Sequence, residues 1–571
     1  MTIRGARTAS TASIGRIEVV YDASAYKRST AAFTRSEQSA GGTLARSFNF
    51  SHVNRVVDVL SVAPANASSA MATLRKQSGV LSVGPVGPRR HSMTAAAHYP
   101  SDPYFDGFNA GQITTAGPDQ SPMPYPTPQY PVTYEGTSPV LGLQPFDENE
   151  NVPGQWDMHA IKLEYAFGYS VPGGGYTSNT AALGSPSTKI AMIDTGQDTL
   201  HPELAGRITY QRCFITPTNS AGFPTGPQST SDFTTDEWGH GTDVTGIAAA
   251  SPNNGIGFVG AGGNSGIMGY RVFPTPDDSC ANDNSSDPQC GADTPDIADA
   301  ILDATNAGAS VISLSLGGGG CVGGQDDDMT EGTAVADAIA AGVIVVAAAG
   351  NESSGNSKQP VDSPGCDPGV IAVGATGLDD GFPNGYPNGA GNGNNAGGTN
   401  SVPVEYVASY SNAGTINTVG SSTSWGIVAP GGDANLNIND NDEFHWIENI
   451  WTSTPYMSNS QDMNFTGGCT QDYPNYTLTT GTVDCRVQIE GTSQATPHVA
   501  GVVALVCAVS PSMCTPGNSN NATAMKTLLC TYADDLRIPT APDPNQGCGR
   551  LNAYTVLAHV IGDSSPPTPI P

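Results

Sequence analysis

Short, almost continuously apolar runs alternate with helix-like segments from residue 189 onward. The apolar runs are KIAMID (189–194), GIMGYRVF (266–273), SVISLSLG (310–317), GVIVVAAAG (342–350) and GVIAVGAT (369–376). The segments with helical periodicity between them are 240–250, 295–308 and 331–342. A strand that is apolar on both faces must be covered on both sides, as in a parallel sheet between layers of helices. This alternation therefore predicts an α/β fold with a mostly parallel sheet and helices on both faces.

Polar residues stand where several of these runs end and where helical segments begin. Asp194 ends the first run, and Asn351 follows the fourth. His240 begins the helical segment HGTDVTG, and Ser493 stands at the start of another one in EGTSQATPHVAG. Because ligands bind at the edge of a sheet where the carboxyl ends of parallel strands meet, we expect these four side chains to lie close together.

Each of the four motifs has an ordinary structural interpretation when it is taken alone. A serine after Gly-Thr is usually a helix N-cap, Asp-Thr-Gly is usually a turn, and an isolated His-Gly is usually structural. Capping by Ser493 explains none of the other motifs, however, and together they supply the groups of nucleophilic catalysis. Ser493 would be the nucleophile and His240 the general base. Asp194 would orient the imidazole, and Asn351 would donate to an oxyanion.

The motifs resemble those of the subtilisin-like serine proteases, the subtilases of peptidase family S8. The chain has Asp-Thr-Gly, His-Gly-Thr and Gly-Thr-Ser-x-Ala-Thr-Pro-His-Val-Ala-Gly in the order Asp, His, Ser, which is the order in subtilisin. The resemblance covers residues 150–560 and implies a secreted serine endopeptidase of broad specificity that works through an acyl-enzyme. Gln494 departs from the family pattern, in which methionine is commonest after the serine. His498 is interpreted as a packed helix histidine rather than a second base.

The resemblance also implies a substrate groove. In the family, a Ser-Leu-Gly edge strand pairs with the substrate backbone, and such pairing gives affinity without reading the sequence. The matching residues in this chain are Ser315, Leu316 and Gly317. The matching wall of the pocket for the residue before the cut is Ala348, Ala349 and Gly350. Small apolar walls favour large apolar or aromatic side chains, whereas the neighbouring Glu352 would favour basic ones.

The segment PNNGIGFVG (252–260) resembles the calcium loop of the family. Oxygen ligands on a loop together with a carboxylate suit Ca²⁺. The matching ligands are Glu203, the side chain of Asn254, and the main-chain carbonyls of Ile256 and Phe258. Glu203 stands where aspartate is commoner, and the loop carries an extra residue. We expect a structural calcium ion at most, and no cofactor for catalysis.

The first 100 residues differ in charge from the rest of the chain. They hold 12 of the 22 Lys and Arg residues but four of the 52 Asp and Glu residues. Strand-like runs at 15–22, 53–62 and 79–86 and helical segments at 25–40 and 67–78 predict a compact α+β unit. This unit resembles the inhibitory propeptide of the family, a ferredoxin-like domain that packs on the enzyme and threads its end through the groove. A basic surface against an acidic one fits that docking.

These observations predict the following organisation. The predicted segments are a disordered N-terminus (1–11), an inhibitory propeptide domain (12–90), a linker and N-terminal extension (91–150), a subtilisin-like catalytic domain (151–561) and a Pro-rich tail (562–571). The stretch GPRRHSMTAAAHYPSDP (87–103) is interpreted as an exposed linker. The resemblance implies that autoprocessing cuts the chain somewhere within 88–103.

All 11 cysteines lie after residue 200, and none form a CxxC pair, so the disulfides of an exported protein fit better than zinc or a redox motif. The preferred pairs are Cys280–Cys290, Cys321–Cys366 and Cys469–Cys485. The pairing of Cys507, Cys514, Cys530 and Cys548 stays open, and one thiol is left over. The first residues lack an apolar signal core, and no apolar run reaches the roughly 18 residues of a membrane helix. We therefore expect a secreted protein whose export signal has been removed.

The partners expected are protein or peptide substrates and the chain's own propeptide, with the enzyme as a monomer. The basic residues near the N-terminus form no stripe along one helix, so nucleic acid is not an expected partner, and neither is a membrane. Two alternatives remain. One is a narrow-specificity processing protease of the same fold, and the other is a catalytically silent binding module. The intact set of Asp194, His240, Ser493 and Asn351 argues against the second.

Overall fold

The apolar runs form strands of one nine-stranded sheet in the computed structural model. The residues that the structure describes are 15–86, 88–91, 94–95, 108–109, 131–133, 139–141, 151–152, 155–163, 166, 184–217, 228–231, 234–252, 258–275, 291–321, 328–354, 357–379, 404–414, 424–433, 447–452, 486–538, 541–542 and 544–561. The predicted segments 1–11 and 562–571 lie outside these ranges.

Strands are numbered in chain order. They are β1 (Arg16–Asp22), β2 (Thr43–Phe50), β3 (Arg55–Ser61), β4 (Val80–Pro85), β5 (Pro88–His91), β6 (Thr94–Ala95), β7 (Phe108–Asn109), β8 (Pro131–Thr133), β9 (Pro139–Leu141), β10 (Asn151–Val152), β11 (Lys189–Asp194), β12 (Ile208–Ile215), β13 (Ser229–Ser231), β14 (Gly266–Arg271), β15 (Ala292–Asp293), β16 (Val311–Leu314), β17 (Leu316–Gly317), β18 (Ile344–Ala348), β19 (Ile371–Asp379), β20 (Val404–Val407), β21 (Gly426–Pro430), β22 (Ile447–Ile450), β23 (Arg486–Glu490), β24 (Arg537–Ile538) and β25 (Ala541–Pro542).

Helices are numbered in the same way. They are α1 (Ala23–Ser39), α2 (Ala67–Leu74), α3 (Trp156–Ala160), α4 (His240–Ala249), α5 (Thr294–Asn306), α6 (Met329–Ala340), α7 (Thr492–Val509), α8 (Asn521–Thr531) and α9 (Ala553–Val560). Short 3-10 turns span Pro64–Asn66, Pro511–Cys514 and Pro544–Gln546.

The large sheet is mostly parallel, as the sequence predicts. Strands β12, β14, β11, β16, β18, β19 and β21 pair in parallel in that order. Of the described strands of this sheet, only β13 and β20 pair antiparallel. Alternate residues of β11 point to opposite faces of the sheet. Ile190 and Met192 pack with helices α4 and α7, and Ala191 and Ile193 pack with α5 and α6. The α/β prediction with helices on both faces is therefore confirmed.

Residues 15–86, here called the N-terminal unit, form a separate antiparallel sheet with the order β2-β3-β1-β4. One face of this sheet is covered by α1 and α2, and the other packs against α5 and α6 of the large unit. The predicted strands and helices are present. Strand β2 was not predicted, because only Phe48 and Phe50 of its eight residues are buried and no apolar run marks it.

The interpretation of residues 87–103 as an exposed linker was wrong where the structure describes them. Strand β5 lies between β15 and β17 and pairs antiparallel with both. Strand β6 pairs antiparallel with the end of β23. The chain after the N-terminal unit therefore adds strands to the large unit, and the partners of these strands lie some 200 to 400 residues further along the sequence, beyond the reach of any local pattern.

The disulfide Cys321–Cys366 is present as predicted. The open pairing among the last four cysteines is Cys507–Cys514 and Cys530–Cys548. Cys213 is buried and carries a free thiol. The predicted pairs Cys280–Cys290 and Cys469–Cys485 lie outside the described residues.

Helix α7 is long and apolar enough to cross a bilayer by length and composition alone, with a mean hydropathy of 1.3 over 18 residues. It is 89% buried inside the protein, between α4 and the strands of the large sheet, as the core helix of a globular fold is. Among the described residues it is the one helix that meets this test.

Candidate active site

The carboxylate of Asp194 lies beside the imidazole of His240 at the carboxyl end of the sheet. Asp194 ends β11, and His240 begins α4. The Asp194 Oδ1 atom lies 2.7 Å from His240 Nδ1, and neither side chain is more than 1% exposed. Burial opposes the charged imidazolium, but the carboxylates of Asp194, Asp243 and Asp236 outweigh it and raise the pKa of His240. The pair is therefore arranged for an imidazole that gains a proton at its other nitrogen, Nε2.

Two glycines of the motifs allow this close approach. A Cβ atom added to Gly241 would lie 2.1 Å from the carbonyl oxygen of Gly196. Any side chain at Gly241 would therefore push helix α4 away from the turn that follows Asp194. The glycines of Asp-Thr-Gly and His-Gly-Thr thus serve packing between the two motifs.

Asp236 holds the start of α4 against the turn that follows β11, and it was not predicted from the sequence. Its Oδ1 accepts hydrogen bonds from Thr195 Oγ1 at 2.9 Å, Gly239 N at 2.8 Å and Trp238 N at 3.1 Å. Its Oδ2 accepts from Thr242 N at 2.8 Å and Thr242 Oγ1 at 2.7 Å. The only sequence signal was an acidic residue shortly before a helix start, a pattern that is usually a simple cap.

Ser493 lies in the first turn of α7, next to the edge of the substrate groove expected from the sequence. Its Oγ donates to the carbonyl of Ser315 at 3.0 Å, and Ser315 Oγ donates back to the carbonyl of Ser493 at 2.8 Å. Helix α7 packs directly against α4, which carries His240. The fold therefore brings the serine, the histidine helix and the predicted groove together, although these segments are far apart in sequence.

Asn351 is oriented by the residue that precedes the serine. Its Oδ1 accepts from Thr492 N at 3.0 Å and from Thr492 Oγ1 at 2.8 Å. The Thr492 hydroxyl oxygen also accepts from Gly350 N at 3.1 Å. Because the carbonyl end of the amide is occupied in this way, its NH₂ end is left to donate elsewhere, as an oxyanion donor must.

The predicted groove residues lie on one edge of this site. Leu316 and Gly317 form β17, and its backbone pairs with His91 and Arg90 of the chain itself. Ala348 and Ala349 are buried at the end of β18, and Gly350 follows them in the left-handed region with φ of 102°.

The wall at Gly350 is less apolar than the sequence suggested. A Cβ atom at Gly350 would lie 2.6 Å from Asp362 Oδ2 and 2.7 Å from Glu352 Oε2. Glu352 also accepts a hydrogen bond from Asn412 Nδ2 at 2.7 Å. Asp362 was not identified from the sequence, because it lies in a loop with no motif around it.

Two of the four predicted calcium ligands lie in the described part of the chain. Glu203 is 1% exposed, and its Oε1 accepts from the main-chain N–H of Phe258 at 2.8 Å. The described residue Phe258 of the expected loop therefore contacts the expected carboxylate, through its main-chain N–H. Asn254 and Ile256 lie outside the described residues. Within those residues, no group of three or more His, Cys, Asp or Glu side chains could hold a metal ion.

A sequence model of the subtilase family, peptidase family S8, matches residues 185–549, a range that includes Asp194, His240, Asn351 and Ser493. The chain belongs to the subtilase family. The resemblance drawn from the motifs is thereby confirmed.

This subtilase is 30% identical to the extracellular protease of Xanthomonas campestris over 405 residues, which are 66% of this chain and 52% of that protein. It is 28% identical to thermitase of Thermoactinomyces vulgaris over 375 residues, 65% of this chain and 88% of that protein. A thermophilic serine proteinase of Bacillus sp. is 36% identical over 193 residues, 34% of this chain and 39% of that protein. The chain thus spans about half the length or less of two of these relatives.

Two solved structures share the fold over 97% of this chain. Fervidolysin of Fervidobacterium pennivorans, a keratinolytic enzyme related to subtilisin, has a TM-score of 0.56 at 21% identity, with 62% of its chain covered. The epidermin leader peptide processing serine protease of Staphylococcus aureus has a TM-score of 0.54 at 18% identity, with its whole chain covered. At these identities the likeness concerns the fold alone.

Substitution of Asp236 by Asn should weaken both the site and the fold of this subtilase. The NH₂ group of asparagine would replace one of the two carboxylate oxygens, and it cannot accept hydrogen bonds. At least two hydrogen bonds would therefore be lost, at a cost of about 1–3 kcal/mol each. We expect a lower melting temperature and a fall in kcat/KM on a chromogenic peptide.

The matched control is Glu237→Gln, which alters the neighbouring carboxylate, a partly exposed partner of Arg271. Equal effects of the two substitutions would contradict the role given to Asp236.

Proposed function

We propose that this chain is a secreted serine endopeptidase, made as a zymogen whose N-terminal unit is an inhibitory propeptide. The observation that carries the proposal is the Asp194–His240 hydrogen bond beside the helix that presents Ser493. The names of the relatives, an extracellular protease and thermitase among them, support the activity and the location, and the disulfides fit an exported protein.

In this proposal, Ser493 Oγ attacks the carbonyl carbon of the bond to be cut, and His240 Nε2 takes the hydroxyl proton. Asp194 keeps the imidazole in the tautomer with the proton on Nδ1 and stabilises the imidazolium. The negative oxygen of the tetrahedral intermediate accepts from Asn351 Nδ2 and from the main-chain N–H of Ser493 at the start of α7. His240 then returns the proton to the leaving amine, and water hydrolyses the acyl-enzyme.

Strand pairing supports extended-peptide binding along β17. Arg90 and His91 already pair there, as the substrate backbone would. Such pairing contacts the main chain of the substrate and few of its side chains, so we expect broad specificity. The carboxylates of Asp362 and Glu352 beside Gly350 favour the alternative of a narrower preference for basic side chains, and a peptide-library cleavage profile separates the two.

The pairing of strands β5 and β6 supports a site of autoprocessing between them. Leu316 is paired with His91, and Ser315 immediately precedes Leu316 in the chain. The carbonyl of Ser315 accepts the hydrogen bond of the Ser493 hydroxyl. On the other side, Thr94 is paired with Glu490 in the strand that leads to Ser493. The bond proposed to be cut therefore lies between His91 and Thr94.

Expression of the full chain and of its Ser493→Ala variant tests this assignment. The unaltered chain should lose its N-terminal segment and yield a product that begins at residue 92, 93 or 94, whereas the variant should keep its full mass. Intact-mass spectrometry and N-terminal sequencing give the result. Cleavage of the Ser493→Ala chain at the same bond, or a first cut elsewhere in the unaltered chain, would contradict it.

Buried contacts support an inhibitory role for the N-terminal unit. Arg16 makes a bidentate ion pair with Asp293, which immediately precedes α5. Arg46 pairs with Asp296 at 2.7 Å and with Asp299 at 2.9 Å. At the start of α6, Glu18 accepts hydrogen bonds from the main-chain N–H groups of Met329 and Thr330. These contacts hold the unit on the face of α5 and α6, from which residues 88–91 lead to β17.

Substitution of Arg16 by Met should release the cleaved propeptide faster. It leaves Asp293 buried without its partner, which costs about 3–5 kcal/mol and corresponds to a fall of at least a hundredfold in affinity. The lag between cleavage, followed on a gel, and the appearance of peptidase activity should therefore shorten.

The matched control is Arg28→Met, the same exchange at an exposed position of α1. An unchanged lag in Arg16→Met would argue against the inhibitory contact.

We also propose a calcium ion at Glu203 and the 252–260 loop. The buried carboxylate of Glu203 and the loop oxygens fit a hard cation, and the ion would stabilise the fold without entering the chemistry. Calcium at about 100 times its Kd should stabilise the protein by about 2.7 kcal/mol. Glu203→Gln should reduce the gain in melting temperature, and Mg²⁺ serves as the control cation. Equal melting temperatures with calcium and after chelation would refute the site.

A further inference from the structure

A buried polar pair lies directly behind the proposed base and nucleophile. Asp243 is on α4, one turn after His240, and Gln494 follows Ser493 at the start of α7. Gln494 Nε2 donates to Asp243 Oδ2 at 2.9 Å, and both side chains are fully buried. This hydrogen bond therefore joins the helix of the base to the helix of the nucleophile.

The pair leaves a carboxylate in the interior with little to stabilise its charge. Within the described residues, Asp243 Oδ1 and Gln494 Oε1 have no hydrogen-bond partner. Burial raises the pKa of Asp243 to about 7, although the Gln494 hydrogen bond and the charge of His240 oppose this rise. The ionised form of Asp243 is therefore sensitive to nearby charge, and a neighbouring cation favours it.

Among the charged groups that act on Asp243, His240 is the one that can carry a positive charge. Asp194 from β11 and Asp157 from α3 are acidic and raise the pKa of Asp243 further. Asp157 is itself bonded to His498 Nε2 of α7 at 2.9 Å. His498 is fully buried and its Nδ1 lies 2.9 Å from the carbonyl oxygen of Gln494, so both ring nitrogens are engaged, as in a packed helix histidine. Strand β22 packs on α4 with neutral side chains at Asn449 and Ile450.

His240 lies close enough to Asp243 for their charges to interact. Side chains three positions apart on a helix have Cβ atoms about 5–6 Å apart, and so close a carboxylate favours an imidazolium. The attraction is strongest once the imidazole carries the proton taken from the serine.

We propose that Asp243, held in place by Gln494, is a positioning residue whose carboxylate stabilises the imidazolium of His240 during catalysis. The proposal rests on the proposed function, in which His240 is the base. It assigns a role to the departure from methionine at position 494: the glutamine supplies the N–H that keeps a second carboxylate in place.

An NMR pH titration of the His240 Cε1–H resonance tests this without any need for peptidase activity. The full-length Ser493→Ala chain is the parent, and His240→Ala identifies the resonance among the nine histidines. Asp243→Asn keeps the shape of the side chain and its ability to accept from Gln494, but removes the charge. Because a carboxylate raises the pKa of a neighbouring imidazole, its removal should lower the His240 midpoint by about half a unit or more.

Asp303→Asn is the matched control, since it removes a carboxylate bonded to Tyr210 and Tyr270 on the opposite face of the sheet. It should leave the midpoint within about 0.1 unit of the parent. Gln494→Met provides a second route if Asp243→Asn does not fold. It removes the N–H that stabilises the carboxylate, favours neutral Asp243, and should move the midpoint in the same direction.

A His240 midpoint within about 0.2 unit of the parent in folded Asp243→Asn, or in Gln494→Met if only that variant folds, overturns the proposal. Failure of the proposed function is recognised separately, because an unaltered chain that cleaves no peptide would leave the titration result intact. In an active chain, the acid limb of the kcat/KM profile should move to lower pH by the same amount as the midpoint, which a purely structural link between helices would not cause.

Discussion

The hydrogen bond between Asp194 and His240 is the interaction on which the rest of the site depends. A carboxylate as deeply buried as Asp194 is destabilising unless hydrogen bonds or a cation compensate for its lost hydration. The fold provides both: the main-chain N–H of Thr195 donates to it, and the imidazole lies against the same oxygen. Strand β11 can present the carboxylate so accurately because it pairs on both sides, with β14 and β16, at the centre of the sheet.

Three buried carboxylates surround the imidazole, and their hydrogen bonds give them different roles. Asp194 contacts the ring directly. Asp236 accepts five hydrogen bonds, from the turn after β11 and from the loop and helix around His240, and these hold the backbone in place. Asp243 has one hydrogen bond from a neutral amide among the described residues, so its charge depends on its surroundings. Their combined field offsets the cost of burying an imidazolium.

The sequence predicted the parts of the fold whose burial leaves an unbroken apolar pattern. Strands β11, β14, β16, β18 and β19 of the large sheet were predicted because both of their faces are covered, as β11 shows. Strands β12, β13, β20 and β21 of the same sheet were not predicted. Strand β2 was missed because it is a mostly exposed edge. Strand β5 was missed because Arg89, Arg90 and His91 have the composition of a linker, and only pairing with distant residues makes them a strand.

The same distinction applies to the candidate site. The four motif residues were recognised because glycine and threonine neighbours mark them in the sequence. Asp236 and Asp243 have threonine or glycine neighbours as well, but they were not recognised because an acidic residue near a helix start is usually a cap or part of a solvated face. Their roles depend on burial and on partners such as Gln494, which no local pattern reveals.

The opposite charges of the N-terminal unit and the rest of the chain interact in two ways, by long-range attraction and by ion pairs in direct contact. Most of the attraction between a basic unit and an acidic one is screened beyond about 8–10 Å in physiological salt, so it can speed their encounter but cannot fix their relative position. Arg16 and Arg46 lie in the interface and meet carboxylates of α5 and its N-cap, where screening is weak and geometry is strict. These pairs hold the N-terminal unit against α5, and the segment that follows the unit pairs with β17 through Arg90 and His91. The attachment of β5 to the large unit therefore depends on strand pairing and on ion pairs at another face of the molecule, rather than on long-range attraction alone.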